Sequence, residues 1–357
     1  MKKFLFLAAL ATAACQNAEE SIPKVSADIQ TTPCIAEVED DAADDPAFWL
    51  HTEAKKSLIF GSNKKRGLEV YALTGERLAE YPTGRLNNVD VALAVPMFDT
   101  VYDIVAASNR DYDRIDIWTI NENPTQLKLV SDTAMRTHLE GVYGFCLWND
   151  TSNARTYAFV NNKDGEVEQW QLVADSSKIS FKLTRSFTAA GQVEGMVVDQ
   201  KNRLLYLGEE QGGVFAYPLD NTAAERMRIP MSGEENADLA YDIEGLAIYS
   251  RGEKHLLVSS SQGNFRYAAY DINDDYRYLG VFAVGNGSVC DGTEETDGID
   301  IYSGAVTQQY PQGIFLAQDG FNYDDKGEKT SQNFKLVDWR KIETAMQLKE
   351  KEGLTID

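Results

Sequence analysis

Histidine is nearly missing from this chain: three in 357 residues, His51, His138 and His255. None of them sits in an RHGxRxP motif, which excludes a histidine phosphatase. Three imidazoles also leave little with which to build a di-iron or di-zinc centre. His51 and His255 lie beside strand-like runs and read as ordinary loop or edge residues. Cysteine is almost as scarce, with Cys15, Cys34, Cys146 and Cys290. There is no Cys-x5-Arg, which closes the cysteine-phosphatase route, and no spacing resembles a zinc site. Basic residues fall short of acidic ones, 34 against 56, for a net charge of −22. That balance weighs against nucleic acid or an anionic membrane surface as partner. Helical periodicity is missing until residues 340–353, which read as a short surface helix, and no Pro/Gly/Ser linker or composition break divides the chain.

At the N-terminus a basic MKK precedes the apolar FLFLAALATAA and then Cys15. The apolar stretch is too short to span a bilayer and reads as an export signal. Small residues before Cys15 suggest a lipoprotein-type signal over 1–15 with Cys15 as the lipid anchor. Thr12 stands where such signals usually carry leucine, so ordinary cleavage stays open. An exported product would be an outer-membrane lipoprotein or a periplasmic or extracellular protein. Residues 16–33 are polar and read as a flexible tether. Export permits a disulfide, and Cys34 and Cys290, each just before an acidic cluster, are the candidates for one; Cys146, inside VYGFCLW, reads as a packed thiol.

What the chain has in abundance is acid at regular intervals. In EDDAADDPAFWLH (39–51), Asp40, Asp41, Asp44 and Asp45 crowd together before a strand-like run. Such carboxylates need either water around them or a cation among them, and hard oxygens suit calcium. Related centres recur at Asp90, Glu140, Glu194, Glu244 and Asp297, at gaps of 45, 50, 54, 50 and 53 residues. Each is followed by further apolar, β-branched and aromatic runs with Gly/Asn/Asp turns between them, as in LIFGSNKKRGLEVYAL (58–73). Six units of three or four strands predict an all-β fold, a six-bladed β-propeller over residues 34–357, with part of 25–40 completing the last blade.

DDAADDPAFW, SNKKRGLEVY, GRLNNVDV, AASNR, EGVYGF, KDGEVEQ, VEGM, LGEEQGGV, DIEGLAIY, SSQGN, DGTEETDGID and FLAQDG occur in this order. Together, from about residue 37 to about 342, they resemble the β-propeller phytases, calcium-dependent alkaline phosphatases of phytate. The resemblance implies hydrolysis of phytate, or calcium-phytate, by water activated at a cluster of calcium ions. It implies calcium ligands at Asp44, Glu194, Glu210, Asp242, Glu244 and Asp291, with Asp45 and Asp297 in the same motifs either binding a structural ion or orienting loops. It implies phosphate contacts at Lys64, Lys65, Arg110, Lys163 and Tyr143, of which Lys64, Arg110, Tyr143 and Lys163, with Glu194, would serve catalysis. Lys64, Lys65, Arg110 and Lys163 all fall early in the turn between two apolar runs of the first three units. That equivalence puts them at one height on one side of the ring, where Arg can fork a phosphate and Lys act as a point charge. Exposed turns favour Lys and Arg in any case, and for Lys65 the two readings are equal. A calcium-dependent propeller lactonase or esterase, or a non-catalytic ligand-binding propeller, would keep the fold and metal. A monomer is the default.

Overall fold

The structure, a computed structural model, describes residues 22–348 except 122, 124, 176 and 221–224. The proposed signal and Cys15 lie outside the described residues. Among the described residues six sheets follow one another along the chain, antiparallel apart from one added N-terminal strand. Blade 1 comprises Ala43–Trp49, Leu58–Asn63, Gly67–Ala72 and Arg77–Tyr81, written from the channel outward. Blades 2 to 5 begin with Leu86–Met97, Val142–Asp150, Val193–Asp199 and Ile243–Arg251. Blade 6 begins with Ile299–Tyr302 and continues through Ile314–Asp319 and Asn333–Asp338. Each first strand packs on the first strands of the next and previous blades, and blade 6 returns to blade 1, so the six close a ring around a channel.

The core is divided among the seams. One apolar cluster fills each junction: Phe60 and Trp118 lie between blades 1 and 2, Ile104 and Phe145 between 2 and 3, Phe159 and Leu205 between 3 and 4. Tyr206 and Leu257 then join blades 4 and 5, Tyr267 and Phe315 blades 5 and 6, and Ile59 and Phe334 blades 6 and 1. Inner strands are therefore buried on both faces, whereas an outer strand such as Arg77–Tyr81 alternates.

The N-terminal segment seals the ring. Ile29–Gln30 pairs antiparallel with Asn333–Asp338 as the outermost strand of blade 6, and Lys24–Ser26 adds a parallel fifth strand to blade 5. Residues 24–30 are thus structural, not a tether, because two open blade edges take up their backbone hydrogen bonds. The expected disulfide is absent: Cys34 and Cys290 are free thiols in different seams. The Cys34 Sγ lies 3.6 Å from the Tyr71 hydroxyl. Cys146 is a buried free thiol, as expected. His255 is buried rather than a plain edge residue, its Nε2 standing 2.9 Å from Asp199 Oδ2. The C-terminal helix is Trp339–Ala345, capped by the Asp338 carboxylate and anchored by Trp339 stacked on Tyr249. It is shorter and better buried than the surface helix expected, because Trp339 and Ile342 close the seam of blades 5 and 6.

Candidate functional site

One backbone irregularity builds the site. The innermost strand of each of the first five blades slips register near its start, between Ala43 and Pro46, Leu86 and Val89, Val142 and Phe145, Val193 and Met196, and Ile243 and Leu246. Such a bulge releases two residues from the ladder and re-aims their side chains. The first released residues are Asp44, Asn87, Tyr143, Glu194 and Glu244, and Asp297 stands just before the blade 6 strand. Register, not acidity, marks the repeat. The true equivalents in blades 2 and 3 are Asn87 and Tyr143, three residues from the acids Asp90 and Glu140 that the spacing picked out.

The position after each bulge residue is glycine in blades 3 to 6. A Cβ on Gly195 would stand 2.1 Å from the Glu244 carbonyl oxygen, and one on Gly298 would stand 2.1 Å from Asp45 Oδ1. The blades therefore approach here as closely as backbones can.

Three carboxylates meet at the mouth: Glu194, Glu210 and Glu244 each offer an oxygen, all within 4.8 Å of one another. Asp44 and Asp297 adjoin them through Lys64, whose ammonium stands 2.7 Å from Asp41, 3.4 Å from Asp44 and 2.6 Å from Asp297. Burial pushes Asp44 and Glu244 well above the usual carboxylate range, and the Glu194 charge adds to it. Burial, with the charges of Glu194 and Asp242, holds Glu210 at about 7. Asp297 is pushed up to about 6 by burial, opposed by Lys64. Burial disfavours the charge on Lys64, but Asp297, Asp44 and Asp41 outweigh it and keep the ammonium protonated well beyond its ordinary range. Acids so crowded call for a cation. Both Asp44 carboxylate oxygens and Glu244 Oε2 are buried without a hydrogen-bond partner. Calcium binds oxygens at about 2.3–2.6 Å, so oxygens sharing one ion stand no more than about 5 Å apart, and this all-oxygen set fits.

Two predicted ligands lie elsewhere. Asp45, the second residue of its bulge, turns into the channel and accepts the Val89 N–H at 3.1 Å. There it resembles Asp90, which accepts from Leu147 N at 2.8 Å, and Asp300, which accepts from Phe48 N at 2.8 Å. These three staple consecutive blades and line a channel cavity of about 200 Å³. Asp291 stands apart from the three-glutamate cluster, its Oδ1 2.6 Å from the buried Lys335 ammonium. Asp242 belongs to the mouth, where its charge reaches Glu210.

The cationic side follows from an Asn at the end of the second strand in blades 1 to 3. Asn63, Asn109 and Asn162 accept through Oδ1 from the turn amides of Lys65, Asp111 and Asp164 at 2.8, 3.1 and 3.2 Å. Through Nδ2 they donate to Glu69, Asp116 and Glu166. These Asx turns hold the following residue, Lys64, Arg110 or Lys163, at one height. Lys163 Nζ lies 4.2 Å above the Tyr143 ring, and the Arg110 guanidinium 5.5 Å from it. Burial and the Glu194 and Glu244 charges keep the Tyr143 hydroxyl protonated, a donor at neutral pH. Lys65 points away, exposed beside Asp40 at 3.5 Å.

The two sides meet at Asn87. Its Oδ1 accepts from Arg110 Nη1 at 3.0 Å and its Nδ2 donates to Glu194 Oε1 at 2.6 Å. Sequence reasoning missed Asn87 because the neighbouring Asp90 carried the charge; the doubled Asn of NNVDV was the available signal.

A family model described as Phytase matches residues 2–356. A 3-phytase of Bacillus subtilis (strain 168) is 38% identical over 346 residues, covering 95% of this chain and 89% of that protein. Among solved structures, two crystals of BBS1N in complex with ARL6DN, soaked with mercury and with lead, align at TM-scores of 0.43 and 0.45. Each is 11% identical and covers 79% of this chain and 75% of that one, a likeness too slight to carry weight.

Proposed function

The chain belongs to the phytase family, and on that footing we propose that it hydrolyses phytate to lower inositol phosphates and inorganic phosphate at this mouth. The observation that carries the reading is the single amide, Asn87, that separates a forked cation from a cation-seeking carboxylate. Asp44, Glu194, Glu210, Asp242, Glu244 and Asp297 would hold calcium. Calcium there would supply charge against the polyanionic substrate and lower the pKa of water at the site.

The chain's own residues do the rest. Arg110 presents a planar fork to one phosphate, and Lys163 a point charge to the same or the adjacent one. Tyr143 donates its hydroxyl to a phosphoryl oxygen. Lys64, shared by three acids, sets the border of the acidic half and places one positive charge there. A substrate with neighbouring phosphates can engage both cations at once, which fixes its orientation. The basic and apolar start of the chain supports export, with Cys15 as a lipid attachment point.

Arg110→Ala and Lys163→Ala should each lower kcat/KM for phosphate release from phytate. A charge-assisted contact contributes about 1.5–3 kcal/mol, or roughly 10–100-fold in rate. Lys65→Ala, on the rim beside Asp40, should stay near the wild type. Wild-type turnover in both Arg110→Ala and Lys163→Ala would remove the phosphate grip.

A further inference from the structure

Four side-chain amides reach into the acidic half of the mouth, and each donates to a different carboxylate of the cation site. Asn87 Nδ2 donates to Glu194 at 2.6 Å, Gln192 Nε2 to Glu210 at 2.5 Å and Gln262 Nε2 to Asp297 at 2.6 Å. Gln211 Nε2 donates to Asp242. We propose that Asn87, Gln192, Gln211 and Gln262 form a neutral collar of positioning residues that aims these carboxylates at a bound cation. The inference rests on the reading of the mouth as a calcium site, which the convergence of Glu194, Glu210 and Glu244 oxygens within 4.8 Å and the buried Glu244 Oε2, without a hydrogen-bond partner, support.

The choice of amide follows from charge. An N–H donor fixes one carboxylate oxygen and so directs the other, as groups around metal ligands generally do. A further lysine or arginine would fix it equally well but would add to the positive charge that Lys64 already places beside Asp44 and Asp297. Position makes the contrast visible. The residue after the second strand is Lys64, Arg110 and Lys163 in blades 1 to 3, where the substrate's phosphates would lie. In blade 5 the same position is Gln262, facing Asp297. In blade 4 it is Glu210, and the flanking Gln192 and Gln211 serve it and Asp242.

The collar also runs on backbone bonds. Glu210 N donates to Gln192 O at 2.9 Å, Ile243 N to Glu210 O at 3.0 Å and Gln262 N to Asp242 O at 2.9 Å. Gln192 and Gln262 are thus each fixed at the root by a backbone bond to a ligand residue. Gln192, Gln211 and Gln262 are only partly buried or exposed, so their removal leaves packing intact while releasing the carboxylates.

The test is calcium affinity without substrate, read by titration calorimetry on metal-free protein, alongside Tm in excess chelator. Gln192→Leu and Gln262→Leu should each weaken calcium binding by about 10–100-fold while Tm in chelator stays at the wild-type value. Gln262→Lys restores a donor but adds charge, and should bind calcium more weakly than Gln262→Leu. Wild-type affinity in both leucine variants, wild-type affinity in Gln262→Lys, or a loss of affinity matched by a fall of Tm in chelator would each overturn the collar. A wild-type protein that fails to bind calcium would instead remove the cation site itself.

Discussion

Lys335 shows how a single buried charge can tie several parts of the ring together. It is wholly buried, and its ammonium lies 2.6 Å from Asp291, 3.1 Å from Asp319, 2.9 Å from Gln30 and 2.9 Å from Asn322. Those oxygens come from the Ile29–Gln30 strand, from blade 6 and from the loops beside it, so one side chain locks the ring closure. Lys335→Met would leave two acids buried without a counter-charge, and breaking such a pair costs about 3–5 kcal/mol. Urea unfolding should show a loss of that order, and an unchanged midpoint would deny the lock. The sequence could not reveal this, since Asp291 and Lys335 meet only once blade 6 is closed by the N-terminal strand. By contrast the turn cations were legible, because Asn before Lys or Arg in SNK, SNR and NNK carries its own local mechanism. Lys65 shows the limit of that signal: one residue further along the turn, the same chemistry faces Asp40 and solvent.

At the scale of the element, the bulge does most of the work. Strands and their repeat were readable from alternating apolar runs and turn residues, and six blades followed. The bulge was not readable, because it demands no side-chain type. A one-residue difference within it sends Asp44 to the mouth and Asp45 to the channel. Only the glycine that follows leaves a trace, and its reason is the approach of the next blade. Gly195→Ala would drive a methyl group to within 2.1 Å of the Glu244 carbonyl oxygen. Forced overpacking of this kind costs about 1–3 kcal/mol or more. It should lower Tm in chelator and also weaken calcium binding, because Glu194 and Glu244 shift apart. A variant with wild-type Tm and affinity would show that the close approach is not required.

Across the whole molecule, burial raises many carboxyls together. Asp90 and Glu210 stand at about 7, Asp297 and Asp300 at about 6. A carboxyl raised on folding binds its proton more tightly in the native state than in the unfolded chain. Its stabilising contribution is therefore complete below the unfolded value near 4 and is lost as pH rises through about 6–7. In chelator, Tm should fall as pH is raised through that window. Calcium, which binds the deprotonated groups, should offset the part due to the mouth, so the calcium-dependent gain in Tm should widen with pH. A gain that stays constant between about pH 5 and 8 would place the ion elsewhere.

The most direct test of a calcium-filled mouth facing fixed cations is the initial rate of phosphate release from phytate at buffered free-calcium concentrations, from excess chelator upward, at mildly alkaline pH. The predicted result is background release in chelator and a rise to full rate as calcium fills the site. Full activity in excess chelator would contradict the account.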